Sequence, residues 1–319
     1  MITSVKSSAA NYLQELQSAW NTFWFRAEDP FLLGLLRLLV GSMVFYTHLV
    51  WTLEFSTFLG TGGVLTADYG QMLSGSGGSF WSHFYWIQSP TLLLITHIFA
   101  LVVFACFALG LFARTAAILS FLFLVSYAHR ATGALFGLDQ INGFLTFYLA
   151  LGPCGAALSL DRWLRRKKHP TSIASVEPSV GANLSLRLIQ VHMCVVYLFA
   201  GLGKLQGPSW WNGEALWGAL ASYDYQTLDL TWMAGYMWLI NLMTFTSIVW
   251  EVSYAFLVWP KLTRPICLLM AFIVHAGIGL GMGMLTFGLI MIFGNLAFLP
   301  SAKTRQVFES VSKRRTQSS

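Results

Sequence analysis

Runs of about twenty apolar residues, separated by short charged or glycine-rich stretches, recur from Phe31 to Leu299. A helix of that length crosses a hydrocarbon core of about 30 Å, and a helix satisfies its own backbone hydrogen bonds in lipid. Eight such runs are legible: 31–53, 89–111, 114–134, 139–158, 184–204, 236–259, 265–282 and 284–299. The chain therefore reads as an all-α, polytopic membrane helix bundle of about eight transmembrane helices. The last two runs are short and almost without a loop, and Gly277, Gly279, Gly281 and Gly283 weaken the helix between them. A tight hairpin or a partly re-entrant pair is expected there. Charged residues are only 10% of the 319, against roughly 25% in soluble domains, which excludes a soluble globule.

Charge gives the orientation. With eight spans and the N-terminus inside, the inner segments carry Lys6, Arg26, Arg114, the run Arg162 to Lys168, Arg187, Lys261, Arg264 and the basic residues of 303–315. The outer segments hold only Arg130 and Lys204, and 54–88 has no cation. This asymmetry is that of the positive-inside rule, and it places both termini in the cytoplasm and the chain as a multi-pass protein in the cytoplasmic membrane. The net charge of +6 is thus a topology signal and gives no reason to expect nucleic acid. The cluster at 162–168 reads as a stop signal for translocation.

Residues 1–30 are expected to form an N-terminal interfacial helix, because Leu13, Leu16, Trp20 and Phe23 recur at helical spacing. The first apolar run begins too late for a cleavable signal peptide. Residues 31–300 form one membrane domain, interrupted by a flexible cytoplasmic loop at 161–183, and 301–319 reads as a solvated basic tail. Cys106, Cys154, Cys194 and Cys267 lie in or beside apolar runs with no CxxC spacing, so no metal site is expected. Without a Gly-rich phosphate loop, no nucleotide is expected either.

Polar residues inside the spans are costly and tend to face the bundle interior. Gln190, Tyr197 and Lys204 are spaced by seven, which returns a helix to nearly the same face and makes a polar stripe of about 21 Å. Lys204 either serves a site or snorkels to the outer headgroups. Arg37 and Glu251 fall at similar depth, and a structural ion pair between them is expected. His275 is mid-span, and Asn142 lies just inside the fourth span behind Asp139, an N-cap candidate. His48, His97, His129 and His192 have no spacing that singles them out.

Several stretches resemble the membrane domain of vitamin K-dependent gamma-glutamyl carboxylase and its bacterial relatives, the horizontally transferred transmembrane family. They are LLRLLVGSM with Arg37, FLGTGGVL, NGFLTFYLALGPCGAALSLDRW at 142–163, and most clearly RLIQVHMCVVYLFAGLGKLQGPSWWNGEALWGAL at 187–220. Glu251, the arginine of KLTRP (Arg264) and His275 follow in family order. The resemblance implies that Lys204 is the base that deprotonates a reduced, vitamin K-like quinone. Oxygen then turns the hydroquinone into the strong base that prepares a glutamyl side chain for carbon dioxide. Where the carboxylase has an Asn-His pair, this chain has Asn142 followed by Gly143, and no counterpart of the large lumenal domain is expected in its 319 residues.

Two readings follow. In the first, the protein is a quinol-dependent oxygenase or carboxylase with its site at the outer side of the bundle. Lys204 is then the base, Asn142 and His275 orient the quinol, and Tyr197, Gln190, Gly201 and Trp211 line its site, the bare glycines at 201 and 203 admitting a flat ring. In the second, it is a non-catalytic module supporting maturation of an exported peptide, like the sporulation-delaying protein B branch. The first expects a closed apolar pocket holding Lys204 within reach of Asn142; the second expects the lysine open to the headgroups. The segment 210–225, with Trp210, Trp211 and Trp217, is expected to lie along the interface over the site.

Overall fold

The computed structural model describes residues 2–74, 81–169 and 176–317, with side chains over 11–72, 81–169 and 176–311. Among these residues there is no strand, only an isolated bridge between Glu28 and Ser179. The helices in chain order are α1 (Ile2–Phe25), α2 (Phe31–Trp51), the short α3 (Phe55–Leu59) and α4 (Ala67–Ser74), α5 (Pro90–Leu109), α6 (Ala113–Arg130) and α7 (Gly137–Leu151). There follow α8 (Leu160–Lys168), α9 (Val180–Lys204), the short α10 (Pro208–Trp211) and α11 (Ala215–Leu220), and α12 (Met237–Leu257). The chain ends with α13 (Arg264–Gly281), α14 (Leu285–Asn295) and α15 (Ser301–Gln317).

Every expected span contains a helix, but they are not equal. Among the described residues five are long and apolar enough to cross a membrane: Phe31–Leu59, Pro90–Leu109, Val180–Lys204, Thr231–Leu257 and Arg264–Gly281. A sixth arises only if α14 is joined to α15 across a bend of 111°. The expected count of about eight spans is therefore not confirmed. At 1.5 Å per residue the 15 residues of α7 and the 11 of α14 reach only about 22 and 16 Å. The hairpin reading of the last two runs fits better: the His275 backbone of α13 lies so close to Gly288 of α14 that a Cβ there has no room.

Local sequence sets the helix ends. Ser89, Ser159 and Ser179 each precede a helix, and their hydroxyls accept backbone N–H groups of Leu92, Arg162 and Ala182. Asp161 caps α6 from a distance by accepting from Phe112 N and Ala113 N, both at 3.0 Å. Gly110 ends α5 at φ 71°, a left-handed turn natural to glycine, and its bare face lets the Arg37 side chain pass. Of the expected loop at 161–183, residues through Lys168 belong to α8, and α9 starts at Val180. Residues 170–175 of that loop lie outside those described. The expected tail at 301–319 begins as helix α15.

The cations gather at one end. Arg305 at the start of α15 pairs with Asp29 at 3.2 Å, and Ser301 Oγ donates to Asp29 O at 2.7 Å. Asn183, near the start of α9, donates to the carbonyls of Phe23 and Trp24 at 2.7 and 2.9 Å, and Arg187 stacks over the Phe23 ring at 4.4 Å. Thus α1, α15 and the first turns of α9 meet there. Lys204 lies at the other end.

Candidate functional site

Lys204 closes α9, and among the described residues its amine forms no hydrogen bond to Asn142. It donates to both carboxylate oxygens of Glu251 on α12, at 2.7 and 2.5 Å. The indole of Trp210 covers it, with the amine 5.3 Å from the ring centroid. The lysine side chain keeps 25% of its surface exposed and the glutamate 9%, so the pair sits at a mouth and not in a sealed chamber. This overturns the Arg37–Glu251 ion pair.

Arg37 spends its donors elsewhere. Its Nε donates to Cys154 O at 3.1 Å, its Nη1 to Phe107 O and Ala108 O at 3.1 and 2.9 Å, and its Nη2 to Leu158 O. Two of these carbonyls belong to the C-terminal turn of α5, where intrahelical donors have run out. The other two lie in the turn after α7. A fully buried guanidinium thereby becomes a cross-brace between two helix ends, and the planar fork of arginine suits four converging acceptors.

Gly201 also departs from the expectation. A Cβ built there would lie 2.8 Å from Val252 Cγ2, 3.0 Å from Val252 N and 3.1 Å from Glu251 Cβ. The missing side chain is used for the close crossing of α9 and α12, which brings Glu251 to Lys204. It leaves no slot for a ring. Gly203 differs, because no atom lies within 4 Å of its would-be Cβ.

Deeper along the same face, Tyr197 and His275 meet as their sequence positions allowed, with His275 Nε2 2.8 Å from the Tyr197 hydroxyl. Two further residues that the sequence reading missed complete the cluster. Asn295 Nδ2 donates to the Tyr197 hydroxyl at 2.8 Å, and Tyr254 donates to Asn295 Oδ1 at 2.6 Å. Tyr254 stands one turn from Glu251 on α12, and Tyr197 two turns from Lys204 on α9, so the charged pair and the cluster form one polar seam. Spacing within α12 held a signal for Tyr254. Asn295 had none, because its partners come from other helices.

The remaining expected site residues separate from this seam. Gln190 accepts from Arg187 at 2.9 Å and donates to Ala297 O at 2.7 Å, near the basic end. Trp211 donates to Leu205 O at 2.7 Å and is 64% exposed, so Trp210 and not Trp211 covers the amine. Asn142 is buried on α7, and its Oδ1 has no hydrogen-bond partner among the described residues. His275 Nδ1 is likewise buried and unpartnered. Asp139 is not the N-cap expected of it: it is the third residue of α7, and its carboxylate reaches back to accept from Phe136 N at 3.1 Å.

A second polar cluster, which spacing did not reveal, surrounds Tyr127. His97 Nδ1 lies 2.5 Å from its hydroxyl, and Thr52 lies 2.9 Å from His97 Nε2. The ring of His48 sits 4.7 Å from the Tyr127 ring, and Ser126 bonds His83 Nδ1 at 2.6 Å. His192 instead stacks on Phe144 at 4.0 Å and bonds Tyr148. Among the described residues no group of His, Cys, Asp and Glu has the geometry to hold a metal ion.

The family described as HTTM domain matches residues 25–302, nearly the whole chain. No curated protein and no solved structure matches.

Proposed function

Since the chain belongs to the HTTM domain family, we propose that it is a multi-pass membrane protein of the vitamin K-dependent gamma-carboxylase-like type. It binds a reduced quinone at the Lys204 end of the bundle and takes a proton from it. The observation that carries this reading is the Lys204–Glu251 pair under the Trp210 indole. An amine bonded to a carboxylate at both oxygens has a proton acceptor in place. Transfer from ammonium to Glu251 leaves a neutral Lys204 nitrogen, the form a general base requires. That nitrogen then accepts the proton of a hydroxyl brought within hydrogen-bond reach.

The surroundings fit a flat, apolar hydroxylated ring. The face at Gly203 is open, Trp210 offers a stacking partner, and His275 Nδ1 on the same polar seam is a buried polar atom without a partner among the described residues. When bound, the reduced quinone supplies the electrons for reaction with oxygen. The chain binds it, holds it against the amine and removes its proton. Both termini are assigned to the cytoplasm on the charge distribution, which puts Lys204 on the outer side of the cytoplasmic membrane.

A second reading has support of its own. Both carboxylate oxygens already occupy the amine, and among the described residues no hydrogen bond joins Asn142 to Lys204. A pair so engaged also suits a static brace in a non-catalytic module that supports an exported peptide. Equilibrium binding of a reduced naphthoquinone to the purified protein separates the two. Saturable binding that is lost in Gly203→Leu, which fills the open face, supports the quinone site. Equal binding in that variant, or none in the wild type, favours the module.

A further inference from the structure

A basic cavity of about 870 Å³ lies at the end opposite Lys204, between the turn after α1, the first turns of α9, the start of α13 and the turn before α15. Arg26, Arg187, Lys261, Arg264 and Lys303 line it, against one carboxylate, Glu28. Glu28 is taken by Arg26 at 2.9 Å, and the nearby Asp29 by Arg305 at 3.2 Å. Four cations therefore face the cavity with no carboxylate paired to them among the described residues.

Two of the four are held in place by the protein. Arg264 donates to Val258 O and Trp259 O at 3.0 and 2.6 Å, and Arg187 to Phe23 O and Gln190 Oε1 at 3.2 and 2.9 Å. Lys261 and Lys303 are exposed and form no hydrogen bond among the described residues. Like charges brought together without a counter-ion repel one another, and bound anion relieves that repulsion. The positive-inside rule accounts for cations at this end, but not for their convergence on a cavity. The run Arg165 to Lys168 on α8 shows the contrast, since it is exposed along a helix.

The cavity is also lined by the apolar side chains of Leu186, Trp259, Leu268 and Phe298. Beside it on α13, Ile266 and Leu269 are exposed, in the direction where a membrane-spanning helix meets hydrocarbon. Cations and apolar side chains lining one cavity, at the end of the bundle where the charges gather, match a phosphodiester headgroup with its acyl chains attached. We infer that this cavity is a binding site for an anionic phospholipid, with Lys261 and Lys303 engaging the phosphate and α13 receiving the chains.

The test titrates the full chain, purified in detergent, with phosphatidylglycerol and reads the bound lipid by native mass spectrometry. The wild type binds phosphatidylglycerol in preference to phosphatidylcholine, and millimolar inorganic phosphate does not displace it. Lys261→Gln with Lys303→Gln weakens binding about thirty-fold, taking about 1 kcal/mol per cation and 1.4 kcal/mol per tenfold. Arg165→Gln with Arg166→Gln removes the same charge from α8 and leaves binding unchanged. Equal weakening in both double variants would reduce the effect to diffuse attraction. Displacement by inorganic phosphate would make the site one for a free anion, and indifference between the two lipids would remove it.

Discussion

The Lys204 amine and the Glu251 carboxylate make a two-point contact, 2.7 and 2.5 Å, across a helix crossing that Gly201 keeps tight. Each residue explains the other's position in an apolar span. A charge at such depth tends to be paired, and the loss of one partner strands the other.

The pair predicts a specific pattern in a double-mutant cycle. Glu251→Leu alone is expected to destabilise the protein by about 1–3 kcal/mol, below the value for a fully buried pair because Lys204 is a quarter exposed. Lys204→Met combined with Glu251→Leu is expected to cost less than the sum of the single changes. Thermal unfolding in detergent reads the coupling, and strictly additive losses would deny the pair.

Arg37 behaves independently of Glu251. Arg37→Met strands four backbone carbonyls and is expected to cost more than about 3 kcal/mol, since each charge-assisted bond contributes about 1.5–3. Arg37→Lys recovers little of this, because an ammonium lacks the planar fork. Combined with Glu251→Gln, the losses add. Non-additivity between these two would revive a direct pairing.

The two glycines flanking Leu202 are expected to respond oppositely. Gly201→Ala forces α9 from α12 and is expected to cost about 1–3 kcal/mol, as overpacking does. Gly203→Ala meets no atom within 4 Å and leaves the melting temperature within a degree or two. The reverse order would mean that the crossing lies elsewhere.

Orientation is open to direct test. A cysteine at Ser222, in the segment after α11, is expected to react with an impermeant maleimide on intact cells in a background lacking the four native cysteines. One at Ser310 on α15 reacts only after permeabilisation. Labelling of both positions from outside would contradict the charge-based orientation.

Much of the architecture was legible because hydropathy and the positive-inside pattern are local signals. Residues 31–299 supplied helices at every expected span, yet among the described residues only five are both long and apolar enough to cross by that test, α7 and α14 being short and α6 less apolar. The polar stripe of α9 put Tyr197 and Lys204 on one face, which spacing within one helix can show, but that His275 of α13 meets Tyr197 was not legible from it. Depth matching failed for Arg37 and Glu251. Two charges at similar depth can lie on different sides of a bundle, and backbone carbonyls at helix ends compete with carboxylates for a guanidinium. Asn295 and the cluster around Tyr127 were illegible because each joins residues from several helices, and no periodicity links them. Gly201 was misread as free space because a glycine in a span serves close helix packing as readily as ligand access.

On the proposed function, Lys204 removes a proton from a reduced quinone. Oxygen-dependent oxidation of a reduced naphthoquinone by purified wild type and Lys204→Met measures it, with melting temperatures recorded in parallel. Methionine keeps the length and apolar stem and deletes the base. Turnover above the uncatalysed rate in the wild type, and none in a folded Lys204→Met variant, is the expected result. Equal turnover in both proteins, or a wild type that neither binds nor oxidises the quinol, would contradict it.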